Sequence, residues 1–260
     1  MSLPFERLGS GPARPPHEWL DELRPRERAP EDRPFLYLNM VASTDGRATF
    51  EGRTGGLGSE ADTLLLTELR ALADAVLVGT GTVRAEGYGR MVRNPERVAR
   101  RAAAGLPPTP TTVLITRSFD VPWGAGLFAA ADQPVIVYTS AERSGGEPAG
   151  RDRSAPPDVA APLELVRLEE CTPATAMADL RSRGVRSLLC EGGPTLNSAL
   201  LEAGVVDELF LTLSPLLSGE PRALRIIEGE GLSDPAQLTL EWVLRHGEEL
   251  FLRYGVRHDR

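Results

Sequence analysis

Short apolar runs alternating with one-sided helical patterns govern the reading of this chain. Residues 35–41, FLYLNMV, are apolar except for Asn39 and predict a buried strand. A glycine-rich loop over 42–58 follows. Ser59 then precedes a segment that places Leu65, Leu66, Leu69 and Leu72 on one face, which predicts a capped helix reaching about residue 73. Residues 75–79, AVLVG, predict a short buried strand. Further strands are expected over 112–116, 134–138, 163–168 and 187–190. A polar, arginine-rich helix is expected over 95–104, a second over 173–183 that stops at Gly184, and a third opening near Pro194. The remainder reads as strands over 208–213, 238–244 and 249–256. Helices alternating with strands, then a β-rich end, predict an α/β fold with helices flanking a mainly parallel central sheet and antiparallel C-terminal strands. Residues 1–33 show no sustained period beyond a short helix over 17–23 and read as a partly ordered N-terminal arm. Residues 34–260 read as one domain, with a loose loop over 143–162.

Composition removes several chemistries. All 29 Lys+Arg positions are arginine, so no P-loop lysine or lysine Schiff base is available, and a bound phosphate must rest on Arg, backbone N–H or hydroxyl groups. The net charge of −8 argues against a general nucleic-acid binder. Cys171 and Cys190 support no disulfide framework, and His17, His246 and His258 form no metal-ligand spacing. No apolar stretch approaches the ~20 residues of a membrane helix, and the N-terminus lacks a signal-peptide core. A cytoplasmic protein without membrane or metal is the expectation.

Candidate chemistry lies at strand ends. In Ser187–Leu201, SLLCEGGPTLNSALL, an apolar run ends at Glu191, Gly192-Gly193 turns the chain, and Pro194 suits a first helical position. The uncapped N–H groups of that helix suit a phosphate, and Glu191 can orient a polar ligand; a plain turn is the competing reading. The loop 42–48 containing Asp45-Gly46 follows another strand and is either a ligand loop or an ordinary turn. Residues 78–86 approach a dinucleotide fingerprint but carry Arg84 where its third glycine belongs. Asp62 either completes an S-x-x-D capping box with Ser59 or faces a pocket and binds a heterocycle edge. Arg70 shares its helical face and calls for an anionic partner. Arg117, flanked by Thr116 and Ser118, suits a 2′-phosphate, and Arg90 and Arg93 suit a substrate phosphate.

Taken in order, VASTDGRAT, LRALADAVLVGTGTVRAEGYGRMVR, LITRS and LLCEGGPTLNSALLEAGVVDELFLTLSPLLSG resemble the reductase domain of the bifunctional riboflavin-biosynthesis deaminase/reductases, over roughly residues 34–256. The resemblance implies a dihydrofolate-reductase-like fold, a homodimer, and a stand-alone reductase, because no deaminase zinc signature is present. It implies NADPH-dependent reduction of 5-amino-6-(5-phosphoribosylamino)uracil to the ribitylamino form, with hydride delivered to C1′ of an opened ribose. The implied NADPH contacts are Val41, Ala42, Gly56, Thr82, Glu86, Arg117, Ser118, Gly193, Pro194, Thr195, Leu196, Asn197 and Ser198. The implied substrate contacts are Asn39, Asp45, Thr54, Asp62, Arg70, Arg90, Arg93 and Glu191, with Glu86, Glu191 and Asp62 as the candidate catalytic acids. Asn39 stands where the family commonly has lysine, and Glu86 where it commonly has aspartate. Asp62 matches the place of the ring-binding acid of dihydrofolate reductases, which makes dihydrofolate or another pterin the alternative substrate. A non-catalytic NADPH-binding protein is the third reading.

Overall fold

A computed structural model of the protein describes residues 3–8, 12–140 and 156–258. Its strands are β1 (Glu6–Arg7), β2 (Phe35–Ser43), β3 (Ala75–Leu77), β4 (Thr111–Ile115), β5 (Val135–Ser140), β6 (Leu163–Leu168), β7 (Ser187–Cys190), β8 (Glu208–Ser214), β9 (Leu238–His246) and β10 (Glu249–Val256). They form one sheet in the order β1-β9-β10-β8-β2-β7-β3-β4-β5-β6. Every neighbouring pair from β8 to β6 runs parallel, and β8, β10, β9 and β1 pair antiparallel. The predicted mainly parallel sheet with an antiparallel end is therefore present. The helices are α1 (Pro16–Leu20), α2 (Glu60–Leu72), α3 (Thr80–Glu86), α4 (Pro95–Ala103), α5 (Pro173–Ser182) and α6 (Pro194–Glu202).

β2 lies at the centre and is buried on both faces, which explains its near-continuous apolar run. Phe35 and Tyr37 pack with Leu65 and Leu69 of α2 on one face. Leu36 and Leu38 pack with Met177, Leu180 and Leu200 of α5 and α6 on the other. Ser59 caps α2 by accepting from the N–H groups of Ala61 and Asp62. The far end of α2 is closed by Arg101 of α4, which donates to the carbonyls of Ala71 and Ala73. Arg101 is only 1% exposed, so α4 is not the wholly polar surface helix its sequence suggests; burial lowers the Arg101 pKa to about 10.

Three features depart from the sequence expectations. The described part of residues 1–33 is built into the molecule rather than trailing from it. Phe5 and Leu23 are fully buried, Trp19 and Leu20 nearly so, and β1 pairs with β9. Arg28 and Arg33 form ion pairs with Glu208 and Asp207. Those apolar residues lie in short segments without a sustained period, so only tertiary packing reveals their burial. Residues 80–86, read only as part of a near-match to a dinucleotide fingerprint, form α3. A 3-10 turn occupies Gly126–Ala129. Of the loop expected over 143–162, residues 143–155 lie outside the described residues. Among the described residues, no helix is long and apolar enough to cross a membrane.

Candidate active site

The carboxyl ends of β2, β7 and β3 lie side by side, and the segments leaving them meet there. The Gly79 N–H donates to the Gly192 carbonyl at 2.6 Å. A Cβ on Gly79 would stand 2.9 Å from the Gly193 nitrogen, and one on Gly193 would stand 2.8 Å from Thr82 Oγ1. Close approach between the two loops thus requires Gly79 and Gly193, where the sequence suggested an approach of backbone to a ligand. The Gly192–Gly193 peptide is cis, and Gly192 has φ +81°. Pro194 opens α6, and no side chain caps that helix, so its first-turn N–H groups are left for a ligand. Asn197 points inward, donating to the Ile226 carbonyl at 2.8 Å, and Ser198 is buried.

A cleft of about 530 Å³ opens beside this turn, lined among others by Asn39, Val41, Thr54, Asp62, Arg70, Thr82, Glu86, Arg90, Arg93 and Glu191. The lining thus includes seven of the eight expected substrate contacts but only three of the thirteen expected NADPH contacts, Val41, Thr82 and Glu86. At one end Arg70 holds Glu191 through two bonds of 2.6 Å, from Nε to Oε1 and from Nη2 to Oε2. The Tyr88 hydroxyl donates to Oε2 at 2.7 Å, and the Arg70 guanidinium lies 5.6 Å from the Tyr88 ring centre. Burial opposes the Arg70 charge, but the Glu191 carboxylate outweighs it and raises the Arg70 pKa. Burial and Glu191 also raise Tyr88. Arg70 and Glu191 were named separately as substrate contacts; they are partners of each other. Tyr88 was missed, since a tyrosine between two glycines carries no motif.

Asp62 lies at the other end. It does not close a reciprocal capping box with Ser59; it lines the cleft. Its Oδ1 has no hydrogen-bond partner among the described residues. A Cβ on Gly58 would come within 2.3 Å of Oδ2, so the carboxylate folds over a glycine that leaves room for it. Burial raises its pKa to about 6; the nearby Thr212 hydroxyl opposes this and the Glu249 carboxylate adds to it. Glu249 is itself buried and bonded to the Ser59 hydroxyl. Asn39 is 9% exposed with Oδ1 also unpartnered. Glu86 accepts from the Thr54 N–H at 2.8 Å.

Tyr88 bonds Glu191, and Arg97 and Arg100 bond Glu68 of α2. The segment carrying Arg90 and Arg93 is therefore held at the Arg70 end of the cleft. Arg90 pairs with Asp132 at 3.0 Å, whereas Arg93 has no ion-pair partner among the described residues. Asp45 is placed elsewhere. Its carboxylate accepts from the Ser43 hydroxyl and from the Ser218 and Gly219 N–H groups, which hold its pKa at about 2. It ties the 218–219 turn to the end of β2 and does not line the cleft, a correction to its reading as a substrate contact. Ala42 and Gly56 also fall outside the lining, as do Arg117 and Ser118, which are exposed after β4. A larger cleft of about 690 Å³ lies between α6 and the end of β10; none of the candidate residues lines it.

A mainly parallel sheet with a cleft at the carboxyl ends of its central strands defines an α/β protein whose candidate site lies where such sheets place ligands. The family model described as the RibD C-terminal domain matches residues 34–252, and the chain belongs to that family. The chain is 27% identical over 235 residues to a protein of Methanothermobacter thermautotrophicus named 2,5-diamino-6-ribosylamino-4(3H)-pyrimidinone 5′-phosphate reductase, covering 86% of this chain and 99% of that one. It is 29% identical to riboflavin biosynthesis protein RibD of Mycobacterium tuberculosis, covering 97% of this chain but 60% of that protein. Among solved structures, a pyrimidine reductase-like protein of Corynebacterium diphtheriae matches with a TM-score of 0.75 and 25% identity, over 88% of this chain and 94% of that one.

Proposed function

We propose that this protein reduces a ribosylamino-pyrimidine 5′-phosphate to its ribityl form with NADPH, a step of riboflavin biosynthesis. The observation that carries this reading is the polarity of one cleft. The unpaired Arg93 suits a phosphate at one end, Glu86, Glu191 and Asp62 offer carboxylates along it, and the uncapped start of α6 suits a cofactor pyrophosphate. In the substrate the amino nitrogen loses a proton as the ribose ring oxygen gains one, leaving a C1′=N double bond. A bound nicotinamide supplies hydride to C1′, and the nitrogen takes up a proton. Arg90 and Arg93 bind the phosphate. Glu191, fixed by Arg70 and Tyr88, accepts from a substrate N–H or hydroxyl. Asp62, with a pKa of about 6, is suited to exchange a proton near neutrality. Arg117, beside Ser118, is the proposed receptor of the 2′-phosphate that separates NADPH from NADH. Arg117→Ala should weaken NADPH and spare NADH; an unchanged affinity ratio rejects that role.

The test is cofactor oxidation with the diaminopyrimidinone phosphate, the uracil phosphate and dihydrofolate side by side. Turnover of a ribosylamino-pyrimidine, with KM raised about tenfold or more by Arg93→Ala, supports the reading; oxidation with neither pyrimidine rejects it. The unpartnered Asp62 favours one second reading, reduction of a pterin, which would be lost in Asp62→Asn.

We also propose a homodimer, on the exposed apolar face of the antiparallel strands. Leu211, Leu213, Leu250, Leu252, Leu238 and Leu240 share one face of β8, β10 and β9 and remain half-exposed or exposed, and a second copy of that self-complementary face would cover them. Leu240→Glu should then shift the protein to monomer in analytical ultracentrifugation, whereas a wild type that already sediments as monomer rejects the dimer.

A further inference from the structure

Two acids meet at the start of α2. Asp62 lines the cleft, and Glu249, the first residue of β10, is 5% exposed. Ser59 joins them. Its oxygen accepts from the N–H groups of Ala61 and Asp62 at 3.0 and 3.2 Å, and its hydroxyl is bonded to Glu249 Oε2. A hydroxyl has one donor and two acceptor positions. Both acceptor positions of Ser59 are taken by α2, so its proton goes to Glu249, and Oε2 is the accepting oxygen. Glu249 Oε1 is buried and has no hydrogen-bond partner among the described residues.

Two more buried oxygens share that condition, Asp62 Oδ1 and Thr212 Oγ1. Thr212 stands opposite Phe251 in the β8–β10 register, so Thr212 and Glu249 are diagonal neighbours on one face of adjacent strands. The Thr212 hydroxyl and the Glu249 carboxylate both act on Asp62. The other titratable group bearing on the pair is His246, the register partner of Glu249 on β9. Two free carboxylate oxygens and one hydroxyl hold a single donor hydrogen among them. A proton on either carboxyl adds a second donor and removes the repulsion between like charges. The fold therefore favours one proton held in common over two full charges. Glu249 also follows the exposed Gly247-Glu248 turn directly, so it stands next to water at a point away from the cleft.

We propose that Glu249 is a positioning residue for the reaction, which shares one proton with Asp62 and returns a proton to Asp62 after each turnover. This inference rests on the proposed reduction, with Asp62 as its acid, and deepens it. In that reduction the C1′=N bond takes hydride at C1′ and a proton at nitrogen. Asp62 gives the proton and becomes a carboxylate. The Glu249 carboxyl then passes its proton to Asp62 by way of the Thr212 hydroxyl, which takes one proton as it gives another. Water at the Gly247-Glu248 turn reprotonates Glu249. The net proton comes from solvent while substrate and nicotinamide fill the cleft.

Glu249→Gln tests this, because the glutamine oxygen still accepts from Ser59 while the charge and the exchangeable proton are gone. Carboxyl-carbon NMR titration of the unliganded protein reads Asp62 directly, and the pH profile of kcat/KM with the pyrimidine substrate reads the acid in use. Wild-type Asp62 should titrate near pH 6. In Glu249→Gln the Asp62 midpoint and the alkaline limb of the profile should both move down by about one pH unit, and kcat at neutral pH should fall several-fold. Glu249→Asp, which keeps the charge, should restore part of each. Should Glu249→Gln not fold, Asp62→Asn gives the reciprocal reading: the Glu249 midpoint should fall by a similar amount, because coupling between two sites is mutual. A midpoint unmoved in either variant overturns the shared proton and leaves the proposed reduction standing. A midpoint that moves while the kcat/KM limb stays overturns the resupply of Asp62. Oxidation with neither pyrimidine by a folded wild type overturns the reduction, and the resupply with it, even where the two carboxyls couple.

Discussion

Two carboxylates line the same cleft under opposite conditions. Glu191 is 8% exposed and receives three donor groups, two from Arg70 and one from Tyr88. Asp62 has the Thr212 hydroxyl nearby and a second carboxylate behind it. Burial acts on both, but only at Glu191 do fixed partners offset it. Glu191 is therefore a positioned, occupied group that holds the β7–α6 turn against α2. Asp62 is held in readiness, with its demand for a partner unmet by the chain. A buried acid with fixed donors is held in one place and turns only its remaining acceptor capacity to the cleft; one left short of partners marks where a ligand contributes most.

The sharpest way to break this contrast is to make Glu191 resemble Asp62. Arg70→Ala removes two of its donors and leaves a buried carboxylate with Tyr88 alone. The expected loss of folding stability is about 3–5 kcal/mol, as for other buried ion pairs that lose one partner. Urea denaturation measures it. A loss under 1 kcal/mol would mean that the pair is solvated in solution and that Glu191 differs little from Asp62. The conservative Arg70→Lys should recover part of the loss, because it restores charge but not the two-bonded fork.

The converse experiment relieves Asp62. Its pKa in the folded protein is raised from 3.8 to about 6, so the folded state holds a proton that the unfolded chain releases. Below about pH 4 the group is protonated in both states and carries no penalty. As pH rises through 6 the folded protein must ionise a disfavoured carboxylate, and stability falls. Asp62→Asn removes that penalty. It should match wild type near pH 4 and exceed it above pH 7 by about 2 kcal/mol, with allowance for the partial exposure of the group. Glu249, also raised by burial, faces Asp62 as a like charge, so removing the Asp62 charge should ease its ionisation as well and act in the same direction above pH 7. Parallel stability curves from pH 4 to 8 would show that Asp62 is not destabilised at neutral pH.

Much of the frame was legible because it rests on local pattern. The continuous run of β2, the short strands β3 and β7, and the Ser59 cap each follow from neighbours in sequence. The glycines at 79 and 193 were read as bringing backbone to a ligand or its phosphate, and in the structure each faces the other loop. Pairings across the fold were not legible. Glu191 and Arg70 are 121 residues apart, and both were named, yet nothing local says that they bind each other. Asp45 illustrates the opposite error: a carboxylate in a strand-end loop reads as a ligand group until the Ser218 and Gly219 N–H groups are seen to occupy it. Phe5, Trp19 and Leu23 lie in segments too short to show a sustained period, so their burial depends on surfaces formed elsewhere. For Asp62 the sequence left two roles open, and the absence of a reciprocal cap removes one of them.

The smallest expected effect tests how much of the Glu191 arrangement belongs to Tyr88. Tyr88→Phe removes one O–H donor and keeps the ring beside Arg70. Because Oε2 still accepts from Arg70 Nη2 at 2.6 Å, the acceptor is not orphaned, and the stability cost should stay near 1 kcal/mol. A purely structural role would stop there. If Tyr88 also aims Glu191 at the substrate, the phenylalanine variant should lower kcat by several-fold while KM for the phosphorylated substrate, set mainly by Arg93, changes little. A loss confined to stability reduces Tyr88 to a packing residue. A loss confined to KM would place its hydroxyl on the substrate and weaken the distinction between the occupied acid and the available one.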